Sequence, residues 1–236
     1  MRRRLRQLHG QQGGFTLPEL ITAMGLGMVV LLAAAFLLDN SVSKSNQIAD
    51  RQEANQRGRI AMELISRDVR SQVCLKDQSP VTIGEDQRIA FYASLSTNPD
   101  TADLRTIRYD TTTKKIIEDV VAGAGTFPDL TFTSAATQRL LLEGAQPIVD
   151  GVTTRPIFRY YGYLGTGTGG QLEQLLPTPL SAANRQRVVL VRVGFVVLPT
   201  RTLALNTTAR DSTTFETDVY VRLADPTKPL DGPRCI

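Results

Sequence analysis

The side chains that most often carry out chemistry are scarce here. The 236 residues include one histidine, His9. It lies near the N-terminus, and the rest of the chain from residue 10 on has no imidazole for a triad or a typical zinc site. Cys74 and Cys235 are the only cysteines. They are too few and too far apart for a CxxC redox motif or a cysteine-rich zinc site. Two readings fit them, one disulfide in an oxidising compartment or two unrelated buried thiols. Gly165, Gly167 and Gly170 match GxGxxG, but Gln171-Leu172-Glu173-Gln174-Leu175-Leu176 is stopped by Pro177 and Pro179 before a phosphate-binding helix can form. No acidic ribose partner follows about twenty residues later, and a Gly/Thr hairpin loop is the better reading. Tyr160, Tyr161 and Tyr163 offer rings for a sugar or a base, yet alternating tyrosines on a strand ordinarily pack a sheet face. Asn98, Asp100 and Asp103, or Asp225 and Asp231, are oxygen donors without EF-hand spacing, and turn chemistry accounts for them. Asn206-Thr207-Thr208 fits a glycosylation sequon that short sequences produce by chance. The expectation is therefore no catalytic, cofactor-binding or metal-binding residue, and a protein that is not an enzyme.

One ionisable group stands out by its position. Residues 15–38, FTLPELITAMGLGMVVLLAAAFLL, form a run of 24 helix-compatible residues whose single charge is Glu19. From Leu20 to Leu38 the run is uninterrupted and long enough to cross roughly 30 Å of hydrocarbon. Arg2, Arg3, Arg4 and Arg6 precede it, which keeps that end cytoplasmic and sends everything after Leu38 outside. An ordinary secretory signal would place a small-residue cleavage site after the run; Asp39-Asn40-Ser41-Val42 offers none, and the small residues Gly13-Gly14 lie in front of it. A plain signal anchor explains the run but not its carboxylate. A charge inside a membrane segment costs about 2.5–3.5 kcal/mol on insertion scales, so Glu19 requires a partner.

The segment Gly14-Phe15-Thr16-Leu17-Pro18-Glu19-Leu20 resembles the leader junction of type IV prepilins and type II secretion pseudopilins. The resemblance covers about residues 10–40. It implies that a prepilin peptidase cuts between Gly14 and Phe15 and methylates the new amino terminus of Phe15. It also implies that Glu19 meets the α-amino group of a neighbouring subunit in the apolar core of a filament, where two charges stabilise each other because each would otherwise be stranded. Pro18 falls in the first helical turn, where its missing N–H is least costly. Arg67-Asp68-Val69-Arg70 also resembles the helix end of larger minor pilins of the PilW type and minor pseudopilins of the GspJ type, although charges on any exposed helix face produce the same pattern.

The basic balance belongs to the leader. Of 27 basic residues, the four arginines before Gly14 leave 23 against 23 acids, and no nucleic-acid-binding surface is expected. Beyond Leu38 the sequence has no proline before Cys74 and only Gly58 as a breaker. Ala61, Ile65, Val69 and Val73 recur every fourth residue, with Met62 beside them, which predicts a helix docking one stripe on a domain. Gly25 and Gly58 are where such a helix would bend or loosen. After Cys74 the period changes to two. Strands are expected over Arg88–Leu95, Leu104–Asp110, Lys114–Val121, Arg139–Leu142, Pro156–Tyr163, Arg187–Leu198 and Phe215–Leu223. Thr111-Thr112-Thr113 reads as a hairpin connection. Arg187–Leu198 should be central, because Val189, Val191, Val193, Phe195 and Val197 share one face and the other is mostly apolar.

These elements predict an α+β fold, a long N-terminal helix packed on an antiparallel β-domain of one or two sheets. Its divisions are a leader over 1–14, a membrane and filament-core helix over 15–38, a continuation over 39–75 and a β-rich domain over 76–236. A bridge from Cys74 to Cys235 would tie a turn-rich tail to the helix end. The expected function is a minor pilin, anchored by one pass in the cytoplasmic membrane with its C-terminal domain outside and then part of an extracellular filament. Its expected partners are the prepilin peptidase, other major and minor pilins and the membrane assembly platform. A GspJ-like subunit of a type II secretion system or of a DNA-uptake pilus is the alternative, and a signal-anchored binding protein or enzyme a more distant one.

Overall fold

The computed structural model describes residues 14, 16–75, 78–79, 81–95, 101–164, 171–200 and 212–221, with the backbone alone at 164 and 171–174. It is α+β, as the periodicity predicts. The chain divides into two units, Met1–Ile48 and Ala49–Ile236, and helix α1, Leu17–Arg70, contributes to both. In the first unit residues 17–48 are helical and exposed at every position. Their N-terminal turn closes on the Thr16 carbonyl, which accepts from the Glu19 and Leu20 N–H groups at 3.0 and 3.1 Å. Pro18 sits inside that turn, where the bond it cannot make is not needed.

In the second unit the helix buries Ala54, Gly58, Ala61, Ile65, Asp68 and Val69. Steps of three and four residues keep these positions on one face, and small residues at 54, 58 and 61 let the sheets approach closely. Val73, expected on the same stripe, lies beyond the helix end, where its N–H donates to the Tyr92 carbonyl at 2.9 Å. The helix stops at Arg70, with Ser71 Oγ donating to the Asp68 carbonyl at 2.7 Å in place of a further turn.

Two antiparallel sheets complete this unit. The first joins β1 (Val81–Gly84), β2 (Arg88–Ala93), β3 (Asp103–Asp110), β4 (Lys115–Ala122) and, after the small hairpin of β5 (Ala124–Thr126) and β6 (Asp129–Thr131), β7 (Thr137–Glu143), in the order β1-β2-β3-β4-β7. The predicted turn between β3 and β4 is present. Asp110 accepts from the Thr112 and Thr113 N–H groups at 2.8 and 3.2 Å, and Lys114 takes a left-handed φ of 55° to close it. After β8 (Ala145–Gln146) and the hairpin of β9 (Val149–Asp150) and β10 (Thr153–Thr154) comes the second sheet. It joins β11 (Phe158–Leu164), β12 (Gln171–Leu176), β13 (Leu190–Val197) and β14 (Thr213–Tyr220) in the order β12-β11-β13-β14, with β8 also on β13. β13 is central, and Val191, Val193, Phe195 and Val197 are fully buried. A short helix α2 (Ala182–Arg185), capped by Ser181, connects β12 to β13.

Both sheets share one core with the helix, built on Ile65 and Val69 from α1, Ile89, Phe91 and Ile107 from the first sheet, and Phe158, Tyr160 and Phe195 from the second. The helix runs without interruption through Gly58 and Gly25. At position 58 glycine is required by packing. A Cβ there would lie 2.1 Å from the Phe215 ring, which itself packs against Phe195 with centroids 5.9 Å apart.

Gly58→Ala is expected to lower the unfolding free energy by about 1–3 kcal/mol, despite the gain of about 1 kcal/mol that alanine brings to a helix interior. In a Phe215→Ala background the same change should become stabilising. Urea unfolding of the detergent-solubilised full chain, followed by the near-ultraviolet tyrosine signal, measures both; additive effects would contradict the packing account.

Candidate functional site in the N-terminal helix

The three residues that resemble a prepilin junction stand at the start of α1. Gly14 is exposed, Phe15 lies outside the described residues, and Glu19 occupies the first turn with its side chain exposed. The Glu19 carbonyl accepts a 3.0 Å bond from Thr22 Oγ1, so its backbone is engaged while its carboxylate faces outward. A negative side chain in the first turn also complements the positive end of the helix dipole. Behind it Ile21, Met24, Leu31, Phe36, Leu37 and Leu38 are each at least 60% exposed, an apolar surface that water does not favour.

At the other end of the helix the structure assembles a group of charges that the sequence did not reveal. Asp68 and Glu118 have fully buried side chains, from α1 and β4, and Arg105 of β3 is 11% exposed. Arg105 Nη1 lies 2.8 Å from Glu118 Oε1 and 3.8 Å from Asp68 Oδ2, while its Nη2 donates to Asp103 at 3.1 Å. Arg139 of β7 spans both carboxylates, 3.1 Å from Asp68 Oδ2 and 2.6 Å from Glu118 Oε2. Arg67 closes the group with two bonds to Asp68 Oδ1, at 3.0 and 3.1 Å. Burial first, and the adjacent Asp68 second, push the Glu118 carboxyl above the usual carboxylate range, with Arg105 and Arg139 pulling the other way. Asp68 belongs to the Arg67-Asp68-Val69-Arg70 segment, which was noted for a resemblance that charges on an exposed helix face would also produce; its place in the buried repeat was the available signal. Glu118 alternates with Ile116 on the inward face of β4, a pattern that also contained the information.

The tyrosine cluster is divided by the pleat. Tyr160 is in the core, its hydroxyl 3.0 and 3.1 Å from the carbonyls of Glu85 and Arg88, and burial pushes that hydroxyl well above its usual range. Tyr163 is buried and Tyr161 half-buried beneath the Arg192 guanidinium, 5.0 Å from the ring centroid. The three rings form no common binding face. On the same outer face Arg192 pairs with Asp218 at 2.7 Å and Arg159 with Glu216, an ion ladder over β11, β13 and β14. Asp103, weighed as a calcium donor, is engaged by Arg105. Among the described residues no group of three or more metal-ligating side chains converges. Cys74 is disulfide-bonded. Cys235, together with His9, the four leader arginines, Asn98, Asp100, Gly165, Gly167, Gly170, the Asn206 sequon, Asp225 and Asp231, lies outside the described residues.

The fold and this helix define a class: a chain with one N-terminal helix long and apolar enough to cross a membrane, joined to an antiparallel β-domain. No family model, characterised protein or solved structure matches the chain.

Arg105→Met, which keeps an unbranched side chain but removes the guanidinium beside two buried carboxylates, is expected to destabilise the β-domain by about 3–5 kcal/mol. Arg192→Met, in a pair about one-third exposed, should cost about 0–1 kcal/mol. Urea unfolding of the two variants side by side measures the contrast, and equal losses would contradict the assignment of a buried charge cluster.

Proposed function

We propose that the chain is a minor subunit of a type IV pilus-like filament, processed between Gly14 and Phe15 by a prepilin peptidase and assembled through its N-terminal helix. The observation that carries this reading is the spacing of Gly14, Phe15 and Glu19 at the head of a helix whose residues 17–48 are exposed throughout. Over residues 17–38 this surface is almost wholly apolar, and it is stable in lipid or against other helices and not in water. A lone carboxylate five residues from a cleavage glycine is what an assembly using a free α-amino group as counter-charge needs, whereas a simple membrane tether has no use for it.

On this reading the precursor spans the cytoplasmic membrane once with the β-domain outside, and passes from the assembly platform into a filament of major and minor pilins. The β-domain of two sheets is larger than a filament shaft requires, which favours an initiating or tip position. The protein acts by assembly and not by covalent chemistry.

Intact mass and N-terminal sequencing of the protein from its native membrane should find a chain beginning at methylated Phe15. A chain still beginning at Met1 in cells with active prepilin peptidase would sink the proposal. Glu19→Ala is expected to leave cleavage unchanged and to reduce incorporation into sheared filaments by at least about tenfold, the effect of losing about 1.4 kcal/mol of pairing energy. Equal incorporation of variant and wild type would remove Glu19 from this role.

A further inference from the structure

We propose that Glu118 holds a proton which it directs to the Asp68 carboxylate across the boundary between helix α1 and the first sheet, so that the β-domain's hold on residues 61–70 weakens as the surrounding pH rises. This inference rests on the β-domain alone and stands or falls independently of the filament reading.

Three guanidiniums stand against the buried pair, and they differ in burial. Asp68 and Glu118 have no exposed surface, and the best buried of these guanidiniums, Arg105, is divided among Glu118, Asp103 and, at 3.8 Å, Asp68. Arg139 and Arg67 are 42% and 53% exposed, so water screens much of their field. Arg139 Nη2 approaches Glu118 Oε2 closely but off the hydrogen-bond axis, and that oxygen is left without an aligned donor. Oε1 already accepts from Arg105 at 2.8 Å, so a proton on Glu118 sits on Oε2. Asp68 Oδ2 and Glu118 Oε2 lie against the same Arg139 Nη2, at 3.1 and 2.6 Å, which brings the two carboxylates together. A protonated Glu118 donates directly to the Asp68 carboxylate and links β4 to the helix through one charge-assisted bond. Once the proton leaves, two like charges face each other in a medium of low dielectric, held together only through the arginines. Asp68, Arg67, Asp103, Arg105 and Arg139 are the charged groups that α1, β3 and β7 turn toward Glu118.

The direction follows from linkage. A carboxyl whose folded-state pKa lies above its unfolded value binds its proton more tightly in the folded state. Its contribution is complete in acid and is lost as pH rises from the ordinary glutamate range through the folded pKa, with no further change above. One proton changes the opening equilibrium by at most about tenfold per pH unit within that window. The helix end fastened here also carries Ile65 and Val69, so loosening the carboxyl pair loosens the core stripe with it.

The test is hydrogen–deuterium exchange of the detergent-solubilised full chain from about pH 4 to about pH 8, corrected for intrinsic exchange and read on peptides covering residues 61–70 and 115–122. Wild type should lose protection in both segments together as pH rises, by up to about tenfold per pH unit. Glu118→Gln, a neutral isostere of the protonated acid, should stay protected with no such slope, and Asp68→Asn should flatten the slope as well. An infrared difference spectrum between acid and neutral buffer should show a protonated carboxyl band in wild type that Glu118→Gln lacks. A flat wild-type profile, or the same slope in Glu118→Gln as in wild type, overturns the proposal. If Glu118→Gln fails to fold, the Asp68→Asn slope and the wild-type infrared band decide the matter.

Discussion

The β-domain is organised around one face of one helix. Ala54, Gly58, Ala61, Ile65 and Val69 form the surface on which two antiparallel sheets close, and Asp68 sits among them as a fully buried charge. An apolar stripe alone would tolerate sliding or rotating by a residue, since hydrophobic contact has no direction. A buried carboxylate must meet its partners or bear a large desolvation penalty, so the position of Asp68 against Arg105, Glu118 and Arg139 fixes the helix's rotation and register on the first sheet. Gly58 does the equivalent by shape, because only a residue without Cβ admits the Phe215 ring. Charge at one end and steric fit at the other together select one seating of the helix.

The same helix shows the opposite chemistry over residues 17–38, where every side chain is exposed and nearly all are apolar. Within a single secondary-structure element the sequence changes from a face satisfied by its own domain to a surface that only lipid or other helices can satisfy. No caps or breaks are needed at the change, because backbone hydrogen bonding is the same in both settings and only the side chains differ. Glu19 then marks where the apolar surface begins, and its first-turn position aligns its charge with the helix dipole.

Much of this was legible from local pattern. The α+β class, the membrane-length run, the four-residue stripe of Ala61, Ile65 and Val69, the Asp110 turn and the central position of β13 all follow from periods of 3.6 and 2.0 and from turn chemistry. What escaped depends on pairing. β1, β8 and the hairpins β5–β6 and β9–β10 are two to four residues long per strand, too short to show a period, and exist because a neighbouring strand accepts their bonds. Gly58 was read as weakness because a glycine's flexibility is a local property, whereas the Phe215 ring that requires it is 157 residues away in sequence. The tyrosines at 160, 161 and 163 were expected to pack a sheet face, and they do, with the strand pleat turning Tyr160 and Tyr161 to opposite faces.

The amino-acid sequence by itself determined that this chain carries an arginine-rich N-terminal stretch, an apolar helix of membrane length headed by one carboxylate, and a β-domain docked on that helix's continuation. Those properties reside in residue type and spacing along one strand of chain, and need no partner to be read. Only the tertiary structure decided that Asp68 is inside and not on a solvated face, and that it is met there by residues 37, 50 and 71 positions away. The reason is physical. Whether a charge is solvated, paired or protonated depends on the dielectric and the partners around it, and both are made by elements brought together only when the sheets close on the helix.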